Sequence, residues 1–142
     1  MKYTYDYPRP AVTVDAVILK KTADVSSILL VRRKNHPFQG FWSFPGGFVD
    51  EYETLEQAIE RETREETGLR GLNYRQFKAF SDPDRDPRHR TITVVFYAFH
   101  EGFDTVVAGD DADGAGWFSL SQLPELAFDH ASILMELLVM LK

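Results

Sequence analysis

The chain contains no cysteine, which excludes disulfides, thiol catalysis and zinc–thiolate sites and suits a reducing cytosol. It has no long apolar run either. Nothing approaches membrane-spanning length, and Met1 to Pro10 lack the apolar core of a signal peptide. A cytoplasmic protein with no membrane partner is expected. Positive charge is in deficit: 16 Lys and Arg stand against 22 Asp and Glu, for a net charge of −6. That balance argues against broad nucleic-acid binding. It leaves an anionic small ligand open, because a bound metal can invert the local field. Internal repeats, low-complexity stretches and linkers are also missing. What is present is a chain of 142 residues, of ordinary single-domain size and able to bury a real core. It reads as one domain over 1–142.

The most informative stretch runs from Gly47 to Leu69. Thr54 followed by Gln57 has capping-box spacing and predicts a helix starting at Thr54 or Leu55, while Gly68 suits a left-handed C-terminal cap. At about 100° per residue, Leu55, Ala58 and Ile59 share a face, which further along meets Glu62, Glu65 and Glu66. Unpaired carboxylates are costly to bury and repel one another at this spacing. A hard divalent cation, Mg²⁺ or Mn²⁺, relieves both problems through carboxylate oxygen. Glu62, Glu65 and Glu66 are therefore the expected metal ligands. Glu62 or Glu65 could instead act as a base, and Glu53, just before the first turn, is a further candidate. Arg61 on the flank is read as a clamp that orients a glutamate by bidentate bonds; a surface ion pair of little worth is the alternative. Glu56, Glu60, Arg64 and Thr67 are assigned to a solvated face. Glycines let the backbone around Pro45-Gly46-Gly47 approach metal or phosphate, so Gly46 joins the expected metal contacts. Carboxylate-held ions can neutralise phosphate charge and lower the pKa of a bound water, as pyrophosphate hydrolysis requires.

Elsewhere, Val12 to Leu19, Ile28 to Arg32, Asn73 to Ser81 and Thr91 to His100 read as strands. Pro37 to Gly47 reads as a loop, and Trp117 and Phe118 mark a short late strand. Asp129 can cap a last helix with Ile133, Leu134, Leu137, Leu138 and Leu141 inward. Met135, Val139 and Met140 make that helix apolar nearly all round and suggest a homodimer. These elements predict α/β layers. Arg85, Arg88 and Arg90 form a proline-stiffened loop suited to phosphate recognition, although internal pairing with Asp is an equal reading of the residues alone. Strand alternation lets only one of Arg32 and Arg33 face a cleft, and Arg32 is chosen. Phe38, Phe41, Trp42 and Phe44 read as core aromatics, and His130 as part of the last helix's start. Asp110, Asp111 and Asp113 lie in an acidic loop that reads first as a turn.

The spacing G-x5-E-x7-R-E-U-x-E-E-x-G-U, with U aliphatic, is filled by Gly47, Glu53, Arg61, Glu62, Glu65, Glu66, Gly68 and Leu69. It resembles the signature of the Nudix hydrolases; Thr63, at the first aliphatic position, is the one departure and removes no ligand. The resemblance implies an α/β (α+β) fold with a mixed β-sheet sandwiched between α-helices. It also implies metal-dependent cleavage, with Mg²⁺ or Mn²⁺, of a nucleoside diphosphate linked to another moiety. The loop Ser81-Asp82-Pro-Asp-Arg85-Asp-Pro-Arg88 is similar to one in ADP-ribose pyrophosphatases, as are Tyr7 to Asp15, Pro45 to Val49, Gly109 to Ala112 and Leu126 to His130. His89 stands where that subfamily usually has Gly. The resemblance adds substrate contacts from Arg32, Arg85, Arg88 and Arg90, and a general base from the loop of Asp110, Asp111 and Asp113. The expected reaction is ADP-ribose to AMP and ribose 5-phosphate. The alternatives are another nucleotide substrate (an oxidised dNTP, NADH or a nucleotide sugar) and a non-catalytic ADP-ribose sensor. Similar regulators fuse the domain to a winged helix and have often lost signature acids. Here the acids are all present and the sequence stops at Lys142, which favours an enzyme of small-molecule nucleotides.

Overall fold

A computed structural model describes residues 2–21, 25–102, 106, 109 and 112–142. In chain order the elements are β1 (Ala11–Lys21), β2 (Val25–Arg33), β3 (Trp42–Ser43), β4 (Gly46–Phe48), α1 (Leu55–Thr67), β5 (Arg75–Phe80), β6 (Thr91–His100), β7 (Ala112–Ser119) and α2 (His130–Met140). β1 is apolar on both faces because both are covered. Val14, Ala16 and Ile18 pack toward Ala58 and Ile59 of α1. Val17 and Leu19 pack toward Ile133, Leu134 and Leu137 of α2. The result is the expected mixed sheet between helices.

The sheet runs β3-β2-β1-β6-β5, with β4 joined to β1 and β7 to β2. β1 and β6 are parallel from Ala11 opposite Thr91 to Lys20 opposite His100. On its other edge β1 changes partner. β4 takes Thr13 to Asp15, and β2 takes Leu19 to Lys21. The rest of β2 pairs with β7 and β3. Where β2 and β4 part company, a cleft opens between the two helices' ends.

Three expectations are corrected. The predicted loop from Pro37 to Gly47 contains β3 and β4, too short to show a period. The late strand begins at Ala112, five residues before Trp117, because Asp113, Gly114 and Gly116 mask the strand signal. Thr67, assigned to the solvated face, is fully buried. Its Oγ1 donates to the Thr63 carbonyl at 2.7 Å and accepts from the Leu69 N–H at 3.2 Å. α1 has the expected ends: Thr54 and Gln57 cap each other reciprocally, and Gly68 is left-handed at φ 82°. Among the described residues no helix is long and apolar enough to cross a membrane.

Candidate active site

The capping box ends α1 at Thr54 and leaves Glu53 just outside it, where its Oε1 accepts the Asp50 N–H at 3.0 Å. Arg61, two turns along, grips Glu53 in the bidentate manner, Nε to Oε2 at 2.6 Å and Nη2 to Oε1 at 2.8 Å. Its Nη2 also donates to the Phe48 carbonyl at 3.2 Å, which ties α1 to β4. Its Nη1 donates to Glu62 at 2.8 Å and Glu65 at 3.2 Å. Hydrogen bonds from Arg61 pull the Glu53 carboxyl down to about 2. The same bonds hold the Arg61 guanidinium above its usual range.

The acidic face carries two inward carboxylates, not three. Glu65 leaves about half of its side chain exposed (52%); it sits about 100° round the helix from Glu66. Glu62 is half-buried, and burial pushes its carboxyl up against the pull of Arg61. Glu66 lies deeper. Burial raises it well above the ordinary range, and the charges of Glu62 and Asp15 act in the same direction. The Gly46 N–H opposes this rise, donating to Glu66 Oε1 at 2.9 Å. Glycine is required on β4: a Cβ at Gly47 would lie 2.5 Å from Glu62 Oε1, and one at Gly46 2.2 Å from the Val14 carbonyl. Gly109 donates its N–H to the Glu66 carbonyl at 3.2 Å, so the late loop touches the end of α1. Asp110 and Asp111 lie outside the described residues. Asp113 pairs with Arg32 at 3.3 Å on the surface.

The cleft has a volume of about 430 Å³ and takes in Glu62, Glu66, Gly46, Arg32, Arg33, Arg85 and Arg88. The choice of Arg32 over Arg33 does not hold. The pairing of β2 with β7 shifts register between Val31 and Arg33, and both arginines line the cleft. Arg85 is almost fully buried and makes a bidentate pair with Asp129 at 2.9 and 2.8 Å. Asp129 thus starts α2 by position while its carboxylate serves Arg85. Arg88 binds Asp86 at 3.1 and 2.8 Å. Burial raises Asp86, but its bonds to Arg88 prevail and bring the carboxyl to about 2. Arg90 is exposed and does not line the cleft.

Sequence reasoning missed Arg33, Phe128 and a buried pair at the cleft floor. His130 stacks on Phe44 with centroids 4.2 Å apart, and its Nδ1 accepts the Phe44 N–H at 3.2 Å. That bond leaves the other ring nitrogen to carry the proton, and burial lowers the imidazole's pKa against the opposing charge of Asp15. Its Nε2 is 3.7 Å from Asp15, whose other oxygen accepts from Thr93 Oγ1 at 2.5 Å. An aspartate inside the run Val12 to Leu19 was the available signal.

Among the described residues no three His, Asp or Glu groups are spaced to hold an ion as they stand. Arg61 supplies the positive charge that Glu53, Glu62 and Glu65 face. It makes no bond to Glu66, the deepest carboxylate of the group. Glu62 and Glu66 remain buried oxygen donors; burial raises both, and Glu62 raises Glu66 further. That donor chemistry fits a hard divalent cation.

The family model described as NUDIX domain matches residues 9–137. The ADP-ribose pyrophosphatase of Methanocaldococcus jannaschii is 47% identical over 128 residues, covering 90% of this chain and 73% of that protein. The ADPR responsive transcriptional repressor NtrR of Acinetobacter baylyi is 32% identical over 135 residues, 92% of this chain. The chain spans about half of the repressor's length, 54%. Among solved structures, the NUDIX domain of Shewanella oneidensis NrtR in complex with ADP ribose has a TM-score of 0.88 at 31% identity. That match covers 97% of this chain and 94% of the other.

Proposed function

The chain belongs to the Nudix family and is a Nudix hydrolase, and on that premise we propose that it splits ADP-ribose into AMP and ribose 5-phosphate with Mg²⁺ or Mn²⁺. One observation carries this reading: the cleft sets buried carboxylates, Glu62 and Glu66, across from the guanidinium groups of Arg33 and Arg88. The first pair suits a divalent cation and the second a diphosphate.

Glu62 and Glu66 would hold the metal, with Glu65 and the Gly46 backbone beside them. A divalent ion there supplies Lewis acidity and a water of lowered pKa. Glu53 is poorly placed as a base, since Arg61 occupies both its oxygens and holds it near about 2. Its role is to orient Arg61, which in turn fixes Glu62 and Glu65. Glu65 and Asp113 remain as proton acceptors with one side open to solvent. Arg32 and Arg88, both partly exposed along the cleft, receive the phosphates. Arg85 supports this wall through Asp129 and does not need to touch substrate. We read residues 1–142 as one cytoplasmic domain acting on a small nucleotide, not on nucleic acid. Exposed Met135, Val139 and Met140 on α2 support a homodimer.

A sensor is the second reading, favoured by the similarity to the NrtR domain. A sensor needs non-destructive binding, whereas an enzyme binds the transition state more strongly than the substrate. Protein incubated with ADP-ribose and Mg²⁺ should accumulate AMP over many turnovers, followed by chromatography for an hour, and EDTA should stop it. Saturable binding with ADP-ribose recovered intact would establish the sensor instead. In a panel with NADH, ADP-glucose, 8-oxo-dGTP and ATP, ADP-ribose should show the highest kcat/KM. A tenfold preference for an oxidised triphosphate, about 1.4 kcal/mol, would overturn the substrate but not the chemistry.

A further inference from the structure

Phe128 has φ 54°, a left-handed backbone that bulky residues rarely adopt. Outliers of this kind persist where their surroundings over-determine them. The flanking residues show how. Leu126 bridges to Trp42 and Ala127 donates its N–H to the Trp42 carbonyl at 2.8 Å. Asp129 is gripped by Arg85, and His130 is pinned by the Phe44 N–H. Pinned on both sides, Phe128 turns its ring toward the cleft. Phe38 backs it at a centroid distance of 4.9 Å.

Two guanidinium groups rest over this one ring, Arg33 with Cζ at 4.9 Å from its centroid and Arg88 at 5.6 Å, Arg88 also lying 5.4 Å from the Phe48 ring. Cations over an aromatic face are attracted by its quadrupole. The two arginines nevertheless repel each other; Asp86 forms a contact ion pair with Arg88, and acts on Arg33 only at longer range, as do Glu66 and Asp15. Among the described residues Arg33 has no contact ion-pair partner; its side chain's one hydrogen bond runs from Nε to the Pro37 carbonyl at 2.7 Å, and the residue lines the cleft. Such a like-charged pair opposite the acidic floor has the chemistry of a site for a diphosphate.

We infer that Phe128 is the positioning residue of the diphosphate subsite: its ring carries Arg33 and, together with Phe48 and Asp86, holds Arg88 beside it. The inference rests on the functional reading above and adds to it one residue, Phe128.

Steady-state hydrolysis of ADP-ribose by wild type, Phe128→Leu, Phe128→Tyr and Arg33→Lys tests it. Leu keeps apolar bulk without the quadrupole, and Lys keeps the charge without the planar fork. Phe128→Leu and Arg33→Lys should each raise KM about tenfold while kcat stays within about threefold. Phe128→Tyr, which keeps the ring, should raise KM clearly less than Phe128→Leu does. The Leu and Lys changes combined should fall short of additive, since they act on one contact. A general structural defect would lower kcat and follow side-chain size, not aromaticity. If Phe128→Leu does not fold, Phe128→Tyr and Arg33→Lys still decide. Unmoved KM in Arg33→Lys, or a Tyr variant as impaired as Leu, overturns the inference while an active wild type keeps the functional reading. A wild type inert toward ADP-ribose removes the functional reading itself.

Discussion

Arg85 and Arg88 lie three positions apart in one loop, and their surroundings give them different tasks. Arg85 is only 4% exposed and spends both arms on Asp129. Breaking a buried pair from one side strands the other charge and costs about 3 kcal/mol. Arg85→Ala should lose roughly that much in urea unfolding, with KM for ADP-ribose little changed in the folded fraction. A tenfold rise in KM without loss of stability would return Arg85 to the substrate. Asp86 makes a pH prediction. Its carboxyl is held near about 2, below the unfolded value of about 3.9. A depressed carboxylate stabilises the fold above its unfolded pKa, and the contribution fades as pH falls through the folded pKa. Asp86→Asn should therefore be less stable than wild type at pH 6, and the gap should close by about pH 2. A gap constant with pH would show that charge is not what Asp86 contributes. The sequence displayed these arginines and aspartates but not their pairing. Arg85 and Asp129 are 44 positions apart, and only the fold brings them together.

At the scale of elements, α1 was legible because its information is local. A capping box, a helical period and a terminal glycine each act within a turn or two, and all three appear in the structure. β3, β4 and β7 were less legible because they are short or glycine-bearing and owe their form to partners on β1 and β2. Periodicity also misjudged the buried width of α1. Thr63 and Thr67 are both fully buried, so the inward face is wider than Leu55, Ala58 and Ile59 imply. Thr63 Oγ1 and Tyr74 OH are buried beside each other without a well-formed hydrogen bond, and burial lifts the Tyr74 phenol to about 12 against a weak opposing pull from the Thr63 hydroxyl. An unsatisfied buried hydroxyl costs about 1–3 kcal/mol. Thr63→Val has nearly the same shape and removes it. The variant should gain about 1 kcal/mol, a rise of roughly 3–5 °C in Tm for a domain of this size. A loss of stability would show that the Thr63 hydroxyl has a partner in solution.

Over the whole molecule, the cleft exists because β1 exchanges one edge partner for another along its length. That long-range register leaves no trace in local sequence, which is why the acids of α1 could be found and the opposite wall, Arg33 and Phe128, could not. The same architecture sets stability against function. Glu66 is buried beside Glu62 and Asp15, and burial raises its carboxyl well above the ordinary range. Folding thus favours the protonated form of Glu66, and the stability this costs grows as pH rises above the ordinary carboxylate range. Glu66→Gln keeps an oxygen for the Gly46 N–H and removes the charge. Without metal at pH 7.5 this variant should melt at a higher temperature than wild type. Its turnover should fall at least about a hundredfold, the scale of lost charge stabilisation at a reacting centre. Mg²⁺ should reverse the order of stability. A ligand bound only by the native state stabilises in proportion to the logarithm of its concentration over Kd. Wild type should therefore gain in Tm with each tenfold step of Mg²⁺ above Kd, while Glu66→Gln stays flat. Scanning calorimetry in EDTA and across a Mg²⁺ series reads both effects. If the variant melts below wild type in EDTA, Glu66 is not under electrostatic load. If its Tm climbs with Mg²⁺ as steeply as that of wild type, the cation is held elsewhere.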